Sequence, residues 1–207
     1  MKLILASDVS FLLSYGYALT GISKSEMNIG YVTTASKVAR DRAFFEKVKN
    51  TISENGYFFE EFDIEGKTKD ETLNFFKDKH VIHVEGGNTF YLLKAVRESG
   101  FADVLKELLS GGKIYIGTSA GAYIMCPTIE VATWNESGRD RFGLSDFSAL
   151  HYVPFVLKVH YRDEMEKMVK EKMKTLTHPL RILRDGQGLF IAHGSAQFFG
   201  EQNETIL

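Results

Sequence analysis

The 207-residue chain has one cysteine, three prolines, one tryptophan and almost no excess charge, with 25 Lys and Arg against 27 Asp and Glu and a net charge of −2. A single thiol, Cys126, cannot close a disulfide within the chain and fits a reducing compartment. The balanced charge lacks the basic footprint expected of a partner for nucleic acid or an anionic membrane. So few prolines, with no low-complexity tract, leave no long linker. No apolar run approaches the roughly 20 residues that span a bilayer. The apolar opening from Leu3 to Leu13 is broken by Ser7, Asp8 and Ser10, and reads as a strand running into a loop rather than a secretory segment. These absences lead us to expect a cytoplasmic protein, folded as one domain over residues 1–207 and working as a monomer or small homo-oligomer. Neither nucleic acid nor membrane is expected as a partner.

What is present is an alternation of short β-rich runs with helical spacings. Lys2 to Ala6, Met27 to Thr34, Tyr57 to Ile64 and Val81 to Val84 read as strands. Between them, Ser36 is placed to cap a helix from Lys37 to about Asn55, with Phe44, Phe45, Val48 and Ile52 forming an apolar stripe. Thr68 to Lys79, Thr89 to Glu98 and Phe101 to Ser110 have helical spacing, the last stopped by Gly111 and Gly112. Asp163 to Leu176 reads as an amphipathic helix, and the tail as short strands joined by glycine turns. Strands alternating with helices predict an α/β three-layer sandwich, with a mostly parallel, doubly wound sheet covered on both faces.

The stretch around which the chain is organised runs from Lys113 to Met125. A short strand leads into Gly117-Thr118-Ser119-Ala120-Gly121, and helix formers follow. This is G-x-S-x-G in the strand–turn–helix context of a nucleophile elbow. It predicts Ser119 at the tip of a sharp bend, at the carboxyl end of the sheet and among unpaired amides. Glu85-Gly86-Gly87-Asn88-Thr89-Phe90 closes another strand at the same edge, where ligands bind in open α/β sheets. The amides of Gly87 and Ala120 are therefore candidate oxyanion donors, and Asn88 and Thr89 candidate substrate contacts. The glycine spacing matches neither the dinucleotide nor the triphosphate fingerprint.

A serine hydroxyl needs a base, and six histidines are available. His80 and His83 flank one strand without the carboxylate company of a metal site. His178 precedes Pro179 in a turn. His151 and His160 bracket an apolar run that could deliver an imidazole to the sheet edge, and His193 lies in a glycine turn. On pattern His160 leads and His193 follows. No metal and no cofactor is implied.

Gly86 to Phe90, Gly117 to Ala122, Cys126-Pro127-Thr128-Ile129 and Val153 to His160 together resemble, in order and spacing, the peptidase E family. Its members are serine dipeptidases that cleave after an N-terminal aspartate and share the class I glutamine amidotransferase-like fold. The resemblance runs over essentially the whole chain. It implies Ser119 as nucleophile, His160 as base, the Gly87 and Ala120 amides as oxyanion hole, and Asp185 as the acid of the triad. A small peptide is the implied substrate, with Arg162 standing in for a substrate-binding arginine. The chain departs from the pattern at Trp134, where the family carries an aspartate, with Asn135 and Glu136 just beyond. Two rivals remain at this point. One is an esterase or amidase on the same elbow, with His193 as base and Asp163 or Asp146 as acid. The other is a non-catalytic small-molecule binder. Thiol chemistry from Cys126 is a weaker alternative.

Overall fold

The computed structural model describes residues 1–134 and 141–207. Its centre is β1 (Lys2–Ala6), where alternate side chains enter two different cores, Leu3 and Leu5 on one face and Ile4 and Ala6 on the other. From β1 the chain forms a continuous helical segment: α1 (Val9–Phe11), a π-helical turn over Leu12–Gly16, and α2 (Tyr17–Leu19). Then come β2 (Ile29–Val32), a 3₁₀ turn over Thr34–Ser36, α3 (Arg42–Glu54) and β3 (Phe59–Phe62). Next are α4 (Lys69–Phe76), β4 (Val81–Val84), α5 (Thr89–Ser99), α6 (Phe101–Ser110) and β5 (Ile114–Thr118). The elbow helix α7 (Ala120–Tyr123) is followed by a 3₁₀ turn, Glu130–Trp134, and by β6 (Val156–Lys158). A second 3₁₀ turn, Asp163–Met165, leads into α8 (Glu166–Met173), and β7 (Leu180–Ile182), β8 (Gly188–Ala192) and β9 (Ser195–Phe199) complete the chain.

The main sheet has seven strands in the order β3-β2-β4-β5-β1-β8-β9. β3, β2, β4, β5 and β1 are parallel, and β8 and β9 extend the sheet antiparallel beyond β1. Helices α4 to α7 cover one face. The α1–α2 segment covers the other, together with Ile52 of α3. The expected three-layer, mostly parallel architecture is therefore the one observed. β6 and β7 stand apart as a two-stranded parallel ribbon packed against the larger core.

The start of α3 differs from the sequence reading. Ser36 does not cap α3, because its hydroxyl donates to the Thr33 carbonyl at 2.8 Å inside the 3₁₀ turn. Asp41 takes the cap instead, accepting the Phe44 amide at 3.0 Å, so α3 begins five residues later than expected, at Arg42 rather than Lys37. The apolar stripe of α3 also divides. Ile52 enters the core, while Phe44 stays 56% exposed at the carboxyl edge of the sheet. By contrast, α4 starts within one residue of the expected Thr68, where Thr68 and Glu71 close a reciprocal capping box.

Candidate active site

Register brings the chemistry to one edge. Val84 pairs with Gly117 and Ala6 with Thr118, so β1, β4 and β5 end together. The backbone then turns through Ser119 at φ 49° and ψ −103°, a left-handed conformation costly for any residue with a Cβ. The Ser119 amide donates to the Ala6 carbonyl at 3.0 Å, and its carbonyl accepts the amides of Ala122 and Tyr123. The bend closes only because α7 meets β4 at a glycine. A Cβ on Gly121 would lie 2.1 Å from the Val84 carbonyl oxygen. On the neighbouring loop Gly87 has φ 142°, and a Cβ there would lie 2.1 Å from the Ala35 carbonyl oxygen. Asn88 ties that loop down through its amide, 2.8 Å from the same carbonyl. Among the described residues, the amides of Gly87 and Ala120 have no hydrogen-bond partner.

His160 arrives on the β6–β7 ribbon. Lys158 pairs with Ile182, and the Tyr161 amide donates to the Leu183 carbonyl at 3.1 Å, which fixes the end of β6 beside the turn that carries Asp185. His160 itself adopts φ 53°. Its Nε2 lies 3.0 Å from Ser119 Oγ, and its Nδ1 lies 2.6 Å from Asp185 Oδ1. The hydrogen bond from His160 holds the Asp185 carboxyl below its usual range, and burial only partly opposes it. β8 is antiparallel to β1, so Gly188 sits opposite Ala6 and the turn before β8 lies at the same edge as Ser119. One residue in this arrangement went unread in the sequence. Ser7, fully buried just after β1, accepts the His160 amide at 2.9 Å and donates to Asp185 Oδ1 at 3.0 Å. A serine following a strand is too common a signal to have singled it out.

A cavity of about 510 Å³ opens beside Ser119 and His160. Its floor includes His83, Glu85 and Thr118, and its outer wall is Phe44, Phe45 and Val48 of α3. His83 is buried, with Nε2 2.7 Å from Thr118 Oγ1 and Nδ1 3.2 Å from the Tyr17 hydroxyl. Burial pulls its pKa down to about 3.

Residues 13–199 match the model of Peptidase family S51. The chain belongs to that family. This S51 chain is 29% identical over 195 residues to an uncharacterized peptidase of Pasteurella multocida, covering 92% of this chain and 93% of the other. It is 27% identical over 140 residues to a Nostoc protein named Peptidase E, covering 68% of this chain and 54% of that relative. The crystal structure of a candidate Peptidase E protein from Listeria monocytogenes EGD-e has the same fold, with a TM-score of 0.82 at 24% identity over 97% of this chain and 98% of the other.

Several residues singled out in the S51 sequence lie away from the cavity wall. Asn88 caps α5, its side-chain oxygen accepting the amides of Phe90 and Tyr91 at 2.9 and 3.0 Å, and Thr89 is buried behind it. Arg162 extends into solvent, 70% exposed and paired with Glu164, because the residues after His160 turn outward into the Asp163–Met165 turn. His193 follows β8 at Ala192, which pairs with Lys2, so it sits at the opposite end of β1 from Ser119. Asp163 is paired with Arg184, and Asp146 with Arg97 at 3.1 Å. The arrangement Ser119–His193 with either acid is therefore not formed. Cys126 is wholly buried, with its thiol pushed up to about 12 by burial, and is unsuited to nucleophilic work. Trp134 ends a 3₁₀ turn packed against the core, whereas Asn135 and Glu136 lie outside the described residues. Among the described residues no helix is long and apolar enough to cross a membrane.

Proposed function

We propose that this S51 peptidase is a serine-type hydrolase of small peptides, acting through an acyl-enzyme on Ser119. The observation that carries the reading is the 3.0 Å approach of His160 Nε2 to Ser119 Oγ, in a chain that continues to Asp185. Ser119 Oγ attacks the scissile carbonyl while its proton passes to His160 Nε2. The imidazolium formed is stabilised by Asp185 through Nδ1. The carbonyl oxygen, now negative, is met by the Gly87 and Ala120 amides, each worth on the order of 100- to 1000-fold in rate. As the tetrahedral adduct collapses, the C–N bond breaks and His160 returns the proton to the departing amine. Water, deprotonated by the same imidazole, then releases the acyl group and restores the serine.

The resemblance to peptidase E extends to dipeptides with an N-terminal aspartate, and the 510 Å³ cavity has room for a small peptide residue. Labelling with a fluorophosphonate probe and hydrolysis of a dipeptide panel test the chemistry. Wild type should be labelled and active. Ser119→Ala should lose the label and about 10⁴-fold or more of kcat. An unlabelled wild-type serine, or Ser119→Ala retaining activity, overturns the reading.

A further inference from the structure

One cavity residue has no part in the reaction above. Glu85 follows β4 directly, on the same side of the strand as His83, and its amide donates to the Val32 carbonyl at 3.1 Å. It is 2% exposed, and among the described residues neither of its carboxylate oxygens has a hydrogen-bond partner. Native interiors seldom leave a carboxylate in that state, because its charged form loses hydration without compensation. Among the described residues it forms no ion pair, and Lys49 favours its charged form only at a distance. His83 is neutral, with both ring nitrogens engaged. On β2 the Tyr31 phenol faces it and offsets its burial in part, its own ionisation suppressed by burial and by Glu85. The Ser36 hydroxyl, from the 3₁₀ turn, also offsets it in part, although its 2.8 Å hydrogen bond goes to the Thr33 carbonyl. From α3, Lys49 is committed to Glu46 and Glu61, at 2.9 Å each. Burial pushes the Glu85 carboxyl up to about 7.

The rest of the lining adds little positive charge. Asp8 is a second acid, Lys47 is an exposed lysine on the outer helix, and no arginine lines the cavity among the described residues. Phe44, Phe45 and Val48 supply an apolar wall.

We propose that Glu85 is a specificity-determining residue: the cavity beside Ser119 rejects a substrate with a carboxylate side chain on its N-terminal residue and accepts neutral or basic residues. This rests on the serine-peptidase reading and sets its substrate class apart from the aspartate preference implied by the resemblance. The force is Coulombic and acts through the cavity wall. Two like charges within about 8 Å of one another, at the effective dielectric of a protein surface, change a rate constant about tenfold or more.

The test is kcat/KM for Asp-Leu against Asn-Leu, two dipeptides that differ in charge and hardly in shape, with Leu-Leu and Lys-Leu alongside. At pH 8, where Glu85 is ionised, wild type should favour Asn-Leu over Asp-Leu by about tenfold or more, with Lys-Leu also ahead of Asp-Leu. Glu85→Gln should bring the Asn-to-Asp ratio to within about threefold of unity. At pH 6, where the buried carboxyl is mostly protonated, the wild-type ratio should shrink in the same direction. That arm needs no variant and stands even if Glu85→Gln misfolds. A wild type that cleaves Asp-Leu as fast as Asn-Leu, or a ratio unmoved by both pH and substitution, overturns the proposal and leaves the serine mechanism intact. A wild type whose Ser119 takes no fluorophosphonate label and cleaves no member of the panel overturns both.

Discussion

At the scale of single residues, two side chains near Ser119 stand at opposite ends of the same physics. Asp185 gains a hydrogen bond from His160 and another from Ser7, so its folded pKa lies below the unfolded value. Its contribution to stability is present above the unfolded pKa and is lost as pH falls through the folded one. For Glu85 burial outweighs what the Ser36 and Tyr31 hydroxyls and Lys49 offer its charged form, and its pKa rises to about 7. Between the unfolded value near 4.5 and 7 the folded protein binds more protons than the unfolded chain, so stability falls as pH rises. Removing the charge should relieve this. Relative to wild type, Glu85→Gln should gain about 2 to 3 kcal/mol between pH 5 and pH 8. In thermal melts at the two pH values, the gap in Tm should widen by about 5 to 10 °C. An unchanged gap would mean that Glu85 is compensated in the folded state.

Ser7 invites a second experiment at this scale. It accepts the backbone amide that fixes His160 and donates to the carboxylate that orients the ring, so it is a positioning residue. Ser7→Ala should lower kcat about 10- to 100-fold with KM nearly unchanged, the loss expected of one charge-assisted hydrogen bond together with a less well-aimed imidazole. It should also move the acid limb of the pH–rate profile, since Asp185 loses a stabilising donor. A purely structural role would lower Tm and leave that profile in place.

At the scale of elements, local signals were legible where the cause of an element is itself local. The start of α4, the strand β4 and the helix α6 follow from residues adjacent in sequence. The start of α3 did not, because Ser36 had a competing carbonyl within its own 3₁₀ turn. The apolar stripe of α3 suggested burial, yet only Ile52 is fully buried: Val48 packs partly against the core, and Phe44 and Phe45 line the cavity. The elbow joins local and tertiary causes, and substitution separates them. Thr68→Ala removes one cap and should cost about 1 kcal/mol. Gly121→Ala places a methyl 2.1 Å from the Val84 carbonyl oxygen, where only backbone can yield, and should cost about 3 kcal/mol or more. Denaturant titration of the two variants checks the order. A Gly121→Ala protein as stable as Thr68→Ala would mean that the elbow can open away from β4.

At the scale of the whole molecule, the decisive question was which histidine reaches the serine, and spacing in sequence could not answer it. His160 and Ser119 are separated by 41 positions and joined by two devices with weak sequence signatures: a detached two-stranded ribbon and an antiparallel strand that reverses beside β1. That reversal sends the two ends of β8 to opposite edges of the sheet. Asp185 precedes Gly188 and lies at the edge carrying Ser119. His193 follows Ala192 and lies at the other, with the five residues of β8 between them, about 14 Å of extended chain. An imidazole so placed cannot exchange a proton with Ser119 unless the sheet comes apart. His160→Ala should therefore reduce kcat by about 10⁴-fold, and His193→Ala, exposed in its hairpin turn, should leave kcat and KM within about twofold of wild type. Measuring both on the same neutral dipeptide keeps the result independent of the Glu85 argument. Activity lost with His193 and retained without His160 would require a serine hydrolase built at the opposite edge of this sheet, where no element of the elbow lies.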